Sequence, residues 1–82
     1  MKLKIVSKKD SADIQIIDMS AVCMARQYKG EILELYIKQM PNSLRFNCRD
    51  YRLYEIEHSI GGCVNYVQRT IPEIVTLYAI DD

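Results

Sequence analysis

The segment Leu44-Arg45-Phe46-Asn47-Cys48-Arg49-Asp50-Tyr51-Arg52-Leu53-Tyr54-Glu55-Ile56-Glu57-His58-Ser59-Ile60-Gly61-Gly62 decides the fold, because its hydrophobic period changes partway along. Leu44 and Phe46 point one way and Arg45 the other, the alternation of a half-buried strand. From Tyr51 onward, Leu53, Ile56 and Ile60 recur at three- and four-residue intervals, the stripe of an amphipathic helix. The flanking residues agree. Asn47 is placed to accept from early helix amides, Asp50 lies in a first turn where the dipole favours a carboxylate, and Gly61 suits the left-handed stop. This pattern predicts one main helix over about residues 48–60.

Working outward toward the amino end, Met40-Pro41-Asn42-Ser43 reads as a turn leading into the strand at Phe46. Before it, Leu33, Leu35 and Ile37 alternate with Glu34, Tyr36 and Lys38, and Lys29-Gly30 suits a tight reversal. Ser20 to Lys29 supports two readings. A Ser20 cap and a Gly30 stop would bound a short helix, whereas Val22, Met24 and Arg26 alternate against Cys23, Ala25 and Gln27 as a strand. The strand is preferred because it pairs with the run that follows, although Glu34 and Lys38 also form an i,i+4 pair that would support a helix over residues 31–39. Lys2 to Ser7 and Ile14 to Ile17 are β-prone, and the polar stretch Lys8 to Asp13 is short enough to join them as antiparallel neighbours.

Toward the carboxyl end, two consecutive glycines would cost about 2 kcal/mol inside a helix, so Gly61-Gly62 cuts the stripe that otherwise runs on to Ile71. Strands are expected near residues 63–69 and 74–80. Thr70-Ile71-Pro72-Glu73 has the opposite grammar, a capping threonine, an early proline and a glutamate three residues on, and reads alternatively as a helix start. The expected fold class is α+β: one small domain over residues 1–82, an antiparallel β meander with one main helix followed by further β structure.

At 82 residues and 49% hydrophobic, the chain buries roughly 60% of its extended surface in one core, without metal or disulfide staples. No run is long and apolar enough to span a membrane, and Lys2, Lys4, Lys8 and Lys9 interrupt the amino end where a signal peptide needs its apolar stretch, so a cytoplasmic protein without membrane partners is expected. Cys23, Cys48 and Cys63, odd in number and set among apolar neighbours, read as reduced core thiols. The net charge is zero, yet residues 1–49 carry nine Lys and Arg against five Asp and Glu, and residues 50–82 carry two against six. A basic half of this kind meets an acidic partner or is dispersed, solvated charge; zero net charge disfavours nucleic acid.

No catalytic constellation emerges. His58, the only histidine, falls off the apolar stripe of the predicted helix; Glu55 and Glu57, two apart on that helix, turn to different faces and form no acid–base pair. The cysteines lack zinc-ligand spacing, and Gly61-Gly62 lacks the lysine and glycine spacing of a phosphate loop. A non-enzymatic protein with no catalytic residue, metal or cofactor is expected. Tyrosine joins an apolar ring to a polar tip and suits interfaces, which makes Tyr28, Tyr36 and Tyr54 candidate protein contacts. Arg45, Arg49 and Arg52, interleaved with Phe46 and Tyr51, form a series of cations and rings of the kind that holds nucleic acid.

The order of elements, together with Cys63-Val64-Asn65-Tyr66-Val67-Gln68-Arg69-Thr70-Ile71 after the predicted helix, resembles a shortened LytTR domain, the mostly-β DNA-binding unit of bacterial response regulators. In that family a short helix precedes a strand of the type Phe-x-Arg-x-His-x-Ser. Cys63, Asn65 and Val67 stand at the first three of those positions and Thr70 is the one conservative match. The resemblance implies a loop-mounted surface with Gln68, Arg69 and Thr70 touching DNA; with the cations elsewhere, the candidate nucleic-acid contacts are Lys29, Arg45, Arg49, Arg69 and Thr70. Two functions are therefore expected: an intracellular regulatory module acting by protein–protein binding or self-association, and alternatively a LytTR-like DNA-binding transcriptional regulator.

Overall fold

A computed structural model describes residues 2–58 and 61–77, and these described residues form seven strands and one short helix. In order they are β1 (Lys2–Ser7), β2 (Ile14–Asp18), a 3-10 turn (Met19–Ala21), β3 (Val22–Tyr28), β4 (Ile32–Ile37), β5 (Leu44–Asn47), β6 (Tyr51–His58), β7 (Val64–Gln68) and α1 (Ile71–Leu77). All pairings are antiparallel, in a four-stranded sheet ordered β2-β1-β6-β7 and a three-stranded sheet ordered β3-β4-β5. One core joins the inner faces of both: Leu3, Ile5 and Leu53 from the first meet Leu33, Leu35 and Phe46 from the second, and Ile71 and Ile74 of α1 complete it. The class is α+β, built mainly of antiparallel strands.

The helix expected over residues 48–60 is instead a turn followed by β6. Asn47 does cap, but it caps a turn: its Oδ1 accepts from the Arg49 amide (2.9 Å) and its carbonyl from the Asp50 amide (3.0 Å). An asparagine oxygen serves either structure equally well. Two properties of β6 mimic a helical period. It is a central strand with a buried apolar residue on each face, so Leu53 faces the core while Ile56, three residues on, is buried on the opposite face. Its inward series Tyr51, Leu53, Glu55 also ends in a carboxylate, which hides the alternation. Glu55 and Glu57 thus share a strand face, and what separates them is burial rather than direction, Glu55 being 4% exposed and Glu57 exposed. Gly61 and Gly62, at φ +95° and +84°, belong to the β6–β7 connection, where only glycine is at ease.

A second correction concerns the strand expected over residues 74–80, because α1 occupies Ile71–Leu77; residues 78–80 lie outside the described residues. The capping residues outweigh the β-branched composition. Thr70 Oγ1 accepts from the Glu73 amide (3.4 Å), and Glu73 Oε1 accepts from the Thr70 amide (3.2 Å) and hydroxyl (2.9 Å). Buried Ile71 and Ile74 then anchor the helix, which lies beside β3. The helix is thus the last described element rather than one followed by strands. The cysteines also differ from expectation, all three being exposed. Of the stretch Ser20 to Lys29, Val22–Tyr28 takes the strand form while Ser20 and Ala21 belong to the 3-10 turn, and Lys29 (φ 52°) and Gly30 (φ 75°) make the reversal.

Candidate functional site

The two sheets present outer faces of opposite character. On the four-stranded sheet, antiparallel register aligns Asp18, Lys2, Ile56 and Tyr66 in one row, Ile16, Lys4, Tyr54 and Gln68 in the next, and Ile14, Val6 and Arg52 in a third. Ile14, Ile16, Val64 and Tyr66 on this face are 44, 59, 41 and 53% exposed. A depression of about 280 Å³ is lined by Lys4, Val6, Ser11, Ile14, Tyr54 and Tyr66, with Lys4 Nζ 4.4 Å from the centre of the Tyr66 ring. Among the described residues, Asp18 is the sole carboxylate on the face. It is occupied locally, since its Oδ1 accepts from the Ser20 amide (3.0 Å) and hydroxyl (2.8 Å), and these two bonds hold its carboxyl below the usual range.

The three-stranded sheet is polar on its outer side. Arg26, Glu34 and Arg45 stand directly across from one another on β3, β4 and β5. Glu34 is fully buried and fully engaged: Oε1 accepts from Arg26 Nε (2.5 Å) and the Tyr36 hydroxyl (2.8 Å), Oε2 from Arg45 Nε (2.6 Å) and the Ser43 hydroxyl (3.1 Å). Burial pushes this carboxyl up, but the four hydrogen bonds, led by that from Arg45, outweigh it and hold its pKa at about 2. Hydrogen bonding to the same carboxylate raises the Arg26, Arg45 and Tyr36 values. The Tyr28 ring centre lies 4.7 Å from the Arg45 guanidinium, 5.4 Å from that of Arg26 and 5.3 Å from Lys29 Nζ.

The structure divides the residues singled out in the sequence. Tyr28, Tyr36, Lys29 and Arg45 gather on or at the end of the three-stranded sheet's outer face, with Arg49 bound to Glu31 at that end (2.7 Å). Tyr54 is on the other sheet. Arg69 and Thr70 have structural duties, the first pairing with Glu55 (2.8 Å) and Glu73 (3.2 Å), the second capping α1. Sequence reasoning missed Ile14, Ile16, Tyr66, Arg26 and Glu34. The signal for Arg26 and Glu34 was present, since they are equally far on either side of Gly30 and a hairpin there must pair them. A second signal was Ile14-Gln15-Ile16-Ile17, apolar on both faces of an edge strand.

Among the described residues, no three His, Cys, Asp or Glu side chains converge as a metal ion would require, and no helix is long and apolar enough to cross a membrane. Comparison with protein-family models, curated proteins and solved structures finds no match.

Proposed function

We propose that this chain is a non-enzymatic interaction module that binds another protein through the outer face of its four-stranded sheet. One observation carries the reading: Ile14 and Ile16 on β2 and Val64 and Tyr66 on β7 are exposed on the same sheet face, with the depression lined by Ile14, Tyr54 and Tyr66 reaching from one edge to the other, and exposed apolar side chains around such a depression are the usual mark of a binding face. Charge selects the partner. Lys2, Lys4 and Arg52 share the face against the single, locally engaged Asp18, so the complement is an apolar patch bordered by carboxylates. Two copies meeting through this face would bring their cations together, which favours a different protein over self-association.

Affinity capture comparing the wild type with Ile16→Asp and Lys4→Glu tests the reading. A partner held by the wild type, released by raised salt and lost with either variant is the expected result. Capture indifferent to both substitutions removes this face from the interaction, and a concentration-dependent dimer abolished by Ile16→Asp in light scattering replaces the proposed partner with a second copy.

A further inference from the structure

We infer that the outer face of the three-stranded sheet binds single-stranded nucleic acid. Arg26 and Arg45 each commit Nε to Glu34, which leaves their terminal Nη groups for a ligand on side chains that are 48 and 53% exposed. Two guanidiniums share one carboxylate, so the row remains positive, and the contacts to Glu34 below and Tyr28 beside hold both arginines in place before any ligand arrives. Positive charge continues along the strands through Lys29 to Arg49, which is 73% exposed and paired with Glu31.

The result is a line of cations with an aromatic ring among them, spread over one outer sheet face. Phosphates of a flexible strand meet the cations, and its bases find π surfaces on the guanidinium planes and on half-buried Tyr36. A duplex hides the faces of its bases, whereas a single strand offers them to the guanidinium planes and tyrosine rings, so the geometry points to the single strand.

Fluorescence anisotropy with a labelled oligothymidylate of about 15 nucleotides tests this, alongside a duplex of the same length and polyglutamate as a polyanion without bases. Single-strand binding that weakens with salt is expected. Tyr28→Leu should weaken it about tenfold, and Lys29→Gln should reduce the salt slope by about 0.7. Both substitutions leave Arg26, Glu34 and Arg45 intact, so the fold is preserved, and Ile16→Ser on the opposite sheet should bind as the wild type does. Absence of binding at low salt, equal affinity for the duplex or polyglutamate, wild-type binding by both Tyr28→Leu and Lys29→Gln, or loss with Ile16→Ser would each overturn the inference.

Discussion

Arg69 Nε reaches Glu55 Oε2 at 2.8 Å, from the residue just before the cap of α1 to the inward face of β6. This bond allows a carboxylate to sit at 5% side-chain exposure on the core side of a central strand, and it ties the last described element to the sheet. Removing one partner of a largely buried pair leaves the other charge uncompensated. Arg69→Ala should therefore cost about 3 kcal/mol in urea unfolding, while Glu55→Leu combined with Arg69→Leu should recover most of it. Equal losses in the single and double variants would show that the pair matters through packing alone.

Acid should expose the role of Glu34. Its carboxyl is held at about 2 in the folded chain against an ordinary value of 4.5, so its contribution to stability is complete above about pH 4.5 and is lost as pH falls toward 2. Glu73 and Asp18, also lowered, act in the same direction. Glu34→Gln should be less stable at neutral pH, with a visibly shallower loss of stability between about pH 4.5 and 2. Identical slopes for the two proteins would contradict the assignment.

Thr70 is expected to matter for the helix rather than for a ligand. Thr70→Ala should cost about 1 kcal/mol and Thr70→Ser much less, because the hydroxyl oxygen is what receives the Glu73 amide. Thermal unfolding of the three proteins provides the comparison.

At Gly62 the surroundings are open, with nothing within 4 Å of where a side chain would begin, yet φ is +84°. Gly62→Ala should destabilise by about 1 kcal/mol through backbone strain alone. A neutral result would mean that the β6–β7 connection relaxes to another conformation.

The hairpins were legible because their signals are local. Lys29-Gly30 between alternating runs and the polar stretch Lys8 to Asp13 each specify a reversal without reference to the rest of the chain. The segment over β6 was not legible, because its place as a central strand depends on β1, from the far end of the chain, pairing along one side of it, and because Glu55 depends on Arg69 fourteen residues later. The competing grammars at Thr70 were resolved by the core, which accepts Ile71 and Ile74 from a helix. Tyr28, Lys29 and Arg45 were individually visible, but their convergence needed Glu34, a residue whose burial on an outward face no periodicity announces.

The row formed by Arg26, Glu34 and Arg45 also has a consequence for how the chain finds its fold. Sliding β3 or β5 by two positions along β4 keeps the aliphatic residues on the core side, as a one-position slip would not, yet carries an arginine away from Glu34 and strips that buried carboxylate of a donor. The row therefore works like a key whose teeth match only one alignment, guarding a small sheet against misthreaded hairpins that its aliphatic side alone would tolerate.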